Sequence, residues 1–427
     1  MSKKDSHIEW IGKIPSDWDL TPIKAVAPCK NEKNRYNGSC YIALEHMESN
    51  TGRLLSDGET VITEVDSTVS SFADTDVLFG KLRPYLAKVA RPKFCGQCST
   101  EILVLSPTDK LSKDFLFWYL LNPSFIDAVN SSTYGAKMPR ANWNFIGNCA
   151  IPVPTLEKQR EIAKHLDDRC GKVDSLIDNL RRQIENLTAY KHSLITEYVT
   201  RGEEPSVKMK CSGVDVFPDV PIHWSVQKTL NLLAMPITDG PHTTPELFSE
   251  GIPFVSAEAV SCGNGSINFN HIRGYISQDF YDECCKKYVP QQNDIYMIKS
   301  GATTGRVAVV DTDRKFTIWS PLAVFRCNPN VINFKFLYYF LQSDAFQRQV
   351  QFGWTYGTQQ NIGMRTLERL KVFVPPLDEQ RAIVKFLDSQ CHQMDRLIST
   401  KKLKIESLEK YRKSLIYEYV TRKKEVS

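Results

Sequence analysis

The 427-residue chain has no apolar run approaching the ~20 residues a membrane-spanning helix needs, so it is not expected to span a bilayer. Met1–Asp5 is polar and no hydrophobic segment follows, so export is not expected and a cytoplasmic location is. The 12 cysteines are spread over the whole length and read as reduced cytosolic thiols. Cys95-Gly-Gln-Cys98 has the spacing of half a zinc or redox site, but no second pair lies near it, so no metal site is assigned. Cys284 and Cys285 are adjacent, a poor spacing for chelation. Cys170 and Cys391 sit on a helical pattern as small buried hydrophobes.

Catalytic motifs are missing too. There is no Gly-x-Ser-x-Gly elbow, no His-Glu-x-x-His and no Glu-x-Lys of the nuclease type. No Gly-x-Gly-x-x-Gly follows a strand-like run, so no dinucleotide or methyl-donor pocket is indicated. Ser300-Gly-Ala-Thr-Thr-Gly-Arg306 departs from phosphate-loop spacing. Asn122-Pro123-Ser124-Phe125 lacks the second proline of the aminomethyltransferase loop and reads as a turn at a helix end. No catalytic residue is assigned. A net charge of +5 is mild, so an argument for nucleic acid must come from where the charges sit.

What the chain does have is itself twice. Val153–Arg201 aligns without gaps on Val374–Arg422, at a constant offset of 221 residues, with about half the positions identical. Pro154/Pro375, Gln159/Gln380, Arg160/Arg381, Leu166/Leu387, Asp174/Asp395 and Tyr190/Tyr411 are among the shared positions. In the first copy Leu166, Val173, Leu180, Leu187 and Leu194 recur every seven residues, with Cys170, Ile177, Ile184 and Tyr198 beside them. The second carries Leu387, Met394, Leu408 and Leu415, with Lys401 where a leucine would continue the series. These stripes predict long amphipathic helices over 156–200 and 377–421, segments that contain no proline. Each would extend roughly 65–70 Å at 1.5 Å per residue. Two separate helical hairpins or an antiparallel coiled coil with the stripes as its seam would both satisfy the pattern, and the equal spacing favours the second.

The repeat continues upstream more weakly. Ile14-Pro-Ser-Asp-Trp18 resembles Val220-Pro-Ile-His-Trp224, Phe115…Phe125 resembles Phe336…Phe346, and Thr133-Tyr-Gly135 resembles Thr355-Tyr-Gly357. Between these lie dissimilar regions with strand-like runs at Tyr41–Leu44, Ile102–Leu105, Ile295–Ile298 and Val307–Val310. The expected fold is mixed α/β: two α/β globules separated by two long antiparallel helices, with internal pseudo-two-fold symmetry. The segments are 1–150, 151–203, 204–372 and 373–427, with Arg201-Gly-Glu-Glu-Pro205 as the linker.

Charge placement singles out three acid-free stretches. Between Asp76 and Glu101 lie Lys81, Arg83, Tyr85 and Lys88; between Asp127 and Glu157 lie Lys137, Arg140, Asn142 and Trp143. Between Asp344 and Glu368 lie Tyr356, Gln359, Gln360, Asn361 and Arg365. Arg and Lys suit phosphates and guanine, while Asn and Gln pair bidentately with adenine. With Lys299, Thr303 and Arg306 from the glycine-bearing run, these are the candidate DNA contacts. Solvated loops that happen to lack acids are the plainer reading of any single stretch.

The paired Pro-x-Leu-[Glu/Asp]-x-Gln-Arg helices, the Pro-x-x-Trp segments opening each half, Lys137-Met-Pro-Arg-Ala-Asn-Trp143 and Gly357-Thr-Gln-Gln-Asn-Ile362 make the chain similar, over nearly its whole length, to the DNA-specificity subunit of type I restriction–modification systems. The resemblance implies that each globule is a target recognition domain reading one half of a split, asymmetric site, and that the helices form the coiled coil that sets the spacer. It implies a non-catalytic subunit that binds double-stranded DNA and recruits two modification subunits, which methylate adenine N6 with S-adenosylmethionine, and restriction subunits that use ATP and Mg. No cofactor is expected in this chain. The rival readings are a standalone DNA methyltransferase or nuclease and a coiled-coil scaffold that does not bind DNA.

Overall fold

A computed structural model describes residues 2–30, 33–55, 68–135, 137–204, 206–356 and 360–426. Contacts divide the chain into two compact units, Met1–Arg182 with Thr400–Ser427, and Gln183–Ser399. Each unit therefore holds one globule and a portion of both long helices.

In unit 1 the central sheet is built from β1 (Cys29–Lys30), β2 (Val77–Gly80), β3 (Val89–Ala90) and β4 (Ile102–Leu105), in the order β1-β4-β2-β3 and antiparallel throughout. In unit 2, β5 (Thr238–Asp239), β6 (Ile295–Ile298), β7 (Val307–Val309) and β8 (Leu322–Phe325) form a sheet of the same order, β5-β8-β6-β7. The central strands β2, β4, β6 and β8 are buried along their whole length, which is why they read as continuous apolar runs without alternation. The runs expected at Ile102–Leu105 and Ile295–Ile298 are strands at those bounds, whereas the Tyr41–Leu44 run is a strand only at Tyr41–Ile42.

The aromatic segment expected before each long helix is a pair of helices. In unit 1 these are α1 (Lys113–Leu120) and α2 (Pro123–Ser131), broken where Asn122 caps α2 by accepting from the Ser124 N–H at 3.2 Å, with Pro123 in the first turn. The first long helix, α3, is Leu156–Arg201 and closes at Gly202, whose φ of 77° is a left-handed stop. In unit 2, α4 (Gln278–Cys285) precedes the equivalent pair α5 (Phe334–Gln342) and α6 (Asp344–Phe352), and the second long helix, α7, is Leu377–Val420. Within unit 1, His165 packs on Tyr419, Asp174 meets Arg412 and Arg181 meets Glu409. Within unit 2, Lys191 meets Asp395 and Tyr198 stacks on Phe386. As numbers rise along α3 they fall along α7, so the helix portions in each unit run antiparallel.

The repeated residues make repeated contacts. Gln159 accepts from the Ser112 N–H at 2.7 Å and donates to the Pro154 carbonyl at 2.8 Å; Gln380 accepts from Asn333 N–H at 2.7 Å and donates to the Pro375 carbonyl at 2.8 Å. Both amides are fully buried, and each ties the start of a long helix to the aromatic helices. The Trp118 indole N–H reaches Asp167 at 2.9 Å and the Tyr339 hydroxyl reaches Asp388 at 2.8 Å, again at matched positions.

The heptad stripe is buried at Leu166, Val173, Leu180, Leu194, Leu387, Met394 and Leu415, while Leu187 and Leu408 are half-exposed. It is more than a seam between helices. Leu166 and Leu415 belong to the core of unit 1, and Leu194, Leu387 and Met394 to that of unit 2, together with Trp18 and Trp224 of the two opening motifs. The helix ends lie against the globules, so the same apolar positions serve both packings.

Candidate nucleic-acid interface

In unit 1 the β2–β3 connection carries Lys81, Arg83, Tyr85 and Lys88. Arg83 and Ala87 take φ of 51° and 44° on either side of a tight turn at Pro84–Leu86, a left-handed backbone unusual for residues with a Cβ. Residues 134–135 and 137–143 clamp this loop. The Arg83 N–H donates to the Pro139 carbonyl at 2.7 Å and the Ala141 N–H to the Lys81 carbonyl at 2.9 Å, while Tyr134 and Arg140 exchange backbone bonds at 3.2 and 3.1 Å. Two stretches about 50 residues apart in sequence are thus brought into one surface.

The individual side chains divide. Arg83, Tyr85 and Lys137 are exposed, as are Tyr134 and Met138, which join them on the clamp. Arg140 is pinned to Glu101 at 3.1 Å, and the Lys88 ammonium donates to the Leu44 carbonyl at 2.5 Å. Asn142 accepts from the Asn144 N–H at 2.9 Å and caps the turn Trp143–Asn148, and Trp143 packs on the core. These last two serve the fold of the clamp, because an asparagine preceding a helical turn satisfies its orphan N–H groups.

Unit 2 repeats the device with different residues. The β6–β7 connection, Lys299–Arg306, is clamped by the segment 360–362: the Gly301 N–H donates to the Gln360 carbonyl at 3.0 Å and the Ile362 N–H to the Lys299 carbonyl at 2.9 Å. Thr355–Tyr356 pairs with Gln360–Asn361 as a short ribbon, and Gln359 lies outside the described residues. Gln360, Asn361 and Arg365 are exposed. The Thr303 carbonyl accepts from the Arg306 N–H at 3.2 Å, and the exposed Arg306 guanidinium donates to the Ser261 carbonyl at 3.1 Å. Lys299 is largely covered, its side chain 13% exposed, and its ammonium is 3.2 Å from the buried carboxylate of Asp239. Gly305 takes a φ of 92°, a left-handed backbone that favours glycine.

The thiols form no comparable site. Cys95 is exposed and Cys98 buried, and burial pushes the Cys98 thiol up to about 12. Among the described residues no group of three or more His, Cys, Asp or Glu is placed to hold a metal ion, and no helix is long and apolar enough to cross a membrane.

Known proteins share this architecture. Residues 21–187 and 241–409 each match the family described as type I restriction modification DNA specificity domain. The chain is 26% identical over 327 residues to the type I restriction enzyme MjaVIII specificity subunit of Methanocaldococcus jannaschii, covering 75% of this chain and 72% of that one. It is 26% identical over 219 residues to the type I restriction enzyme EcoDI specificity subunit of Escherichia coli, 48% of each. Its fold is similar, at a TM-score of 0.68 and 20% identity over 95% of this chain and 98% of the other, to a solved structure described as "Structural basis underlying complex assembly and conformational transition of the type I R-M system". With both halves matched and the duplicated frame intact, the chain belongs to the family of type I restriction–modification DNA-specificity subunits.

Proposed function

We propose that each unit reads one half of a bipartite, asymmetric DNA site through its clamped loop, and that the two long helices set the number of base pairs between the halves. The observation that carries this reading is a contrast between frame and loops. The frame contacts of Gln159/Gln380 and Asp167/Asp388 recur at the 221-residue offset, whereas the clamped loops keep the same backbone pairing and change nearly every exposed side chain. A constant frame with variable basic and amide loops is what reading two unlike half-sites requires, because backbone contacts fix register and side chains at base edges specify.

On this reading the chain does no chemistry. It delivers DNA to two modification subunits that use S-adenosylmethionine and to restriction subunits that use ATP and Mg, in the cytoplasm. The test is a swap of residues 28–150 for those of a relative with a different target, followed by methylome sequencing of the host. One half of the methylated motif is expected to change while the other half and the spacer persist. Change in both halves would refute the assignment of one half-site to each unit.

A further inference from the structure

We infer that Lys287 and His242, oriented by the buried carboxylate of Asp239, form a phosphate-binding clamp in unit 2 beside the Lys299–Arg306 loop; the inference rests on the DNA-reading assignment above. Asp239 ends β5 with its side chain fully covered. Its Oδ1 lies 2.5 Å from the Lys287 ammonium, and its Oδ2 lies 3.2 Å from Lys299 and 3.1 Å from His242 Nε2. One carboxylate thus gathers basic side chains from three places: the loop after β5, the turn following α4 and the start of the β6–β7 loop.

The three basic side chains differ in what they face. Lys299 is 13% exposed and backs the reading loop, whereas the side chains of Lys287 and His242 are 51% and 72% exposed. Two ammonium groups on one carboxylate leave a formal surplus of one positive charge among these three groups. Glu283 is nearby but forms no ion pair with these cations, and Lys286 adjoins them. Burial pushes the Asp239 carboxyl up, but Lys287 and Lys299 outweigh burial and hold it below the ordinary carboxylate range, so it stays charged. An anion that approaches the exposed pair completes the neutralisation that Asp239 leaves unfinished.

Topology puts the clamp next to the candidate reading surface. Strands β5 and β6 are both antiparallel to β8, so both leave the sheet at the same edge, and their following loops emerge side by side. The turn after Asp239 is pressed onto the sheet end: a Cβ on Gly240 would meet the Ile318 carbonyl oxygen at 1.9 Å, so only glycine lets His242 come back to Oδ2. A cavity of about 210 Å³, lined in part by Gly240, Thr243, Glu283, Lys287 and Thr317, opens beside Lys287.

The experiment measures binding of the full chain, in complex with its modification subunits, to a duplex carrying the methylated motif and to one with the second half-site scrambled, between 50 and 200 mM salt. K287Q is expected to make the slope of log affinity against log salt shallower by about 0.9, which reduces the loss of affinity over that range by about 3.5-fold, equally on both duplexes. D239N makes the chain one charge more positive, yet it is expected to weaken binding to both duplexes, because the cations lose their anchor. Tighter binding by D239N would overturn the orienting role, and an unchanged slope in K287Q would overturn the clamp. Lys287 is half-exposed, so K287Q decides the matter even if D239N is unstable. A native complex with no preference between the duplexes would instead sink the DNA-reading assignment itself.

Discussion

Position 174 in the first repeat equals 395 in the second, and 191 equals 412, so one cross-helix ion pair occurs twice, as Asp174–Arg412 and Lys191–Asp395. The surroundings of the two copies are opposite. In unit 1 the Arg412 and Asp174 side chains are 6% and 11% exposed, whereas in unit 2 Lys191 and Asp395 are 25% and 43% exposed. Arg412 lies 2.9 Å from Asp174 through Nε, donates to the Asn50 and Thr51 carbonyls at 2.7 Å each, and stands over Trp118. R412A takes the partner from both loop carbonyls and leaves the buried Asp174 carboxylate only Arg53, at 3.8 Å, which costs about 3 kcal/mol, the lower end for breaking a buried pair. K191A removes a solvated pair and costs about 1 kcal/mol or less. In a unit of roughly 200 residues the first loss lowers the unfolding temperature by about 10 °C and the second by a few degrees at most. Calorimetric unfolding of the full chain checks this. Replacing both Asp174 and Arg412 by leucine is expected to recover much of the loss but not all, because the two loop carbonyls stay unpaired. The pH dependence has a definite sign. Burial raises the Asp174 carboxyl above its ordinary range, with Arg412 and Arg53 pulling the other way. Without Arg412 the shift grows, so the unfolding penalty of R412A is fully present at neutral pH and shrinks as the pH falls and Asp174 takes up a proton. Equal destabilisation by R412A and K191A, or an R412A penalty that grows on acidification, would refute the reasoning.

Other consequences are as direct. Q380L leaves the partly buried Asn333 N–H and two carbonyls without a partner and is expected to destabilise unit 2 by about 1–3 kcal/mol, measured by urea unfolding; a neutral substitution would remove the helix-to-globule tie from the account. Q360A is expected to relax selectivity at one position of the second half-site, at about 1–3 kcal/mol if it pairs with a base, and equal weakening on all sequences would mark a phosphate contact. Inserting two residues at matched points of both long helices adds roughly 3 Å, close to one base-pair step, so methylome sequencing should show a spacer longer by about one base pair; an unchanged spacer would exclude the helices as its determinant.

The duplication, the long proline-free helices and the buried central strands were legible in the sequence, because each depends on periodicity along a continuous stretch. A heptad apolar stripe forces a helix to bury one face, and a short apolar run can only be a covered strand or a helix fragment. Family membership followed from the same stretches, since the copied residues, such as Gln159 and Gln380, hold each long helix to its globule. Tertiary structure alone decided which candidates share a surface. The segments that carry Arg83 and Lys137 share a surface because the Arg83 N–H finds the Pro139 carbonyl, and no local pattern announces that bond. It also decided which polar side chains are already engaged: Asn142 is committed to a cap, Arg140 to Glu101, and Lys299 and Lys287 both to Asp239, with half of the Lys287 side chain still exposed. Residue type and spacing set what a side chain is able to bind. Whether it is already bound depends on groups distant in sequence, which only the folded chain brings within hydrogen-bond reach.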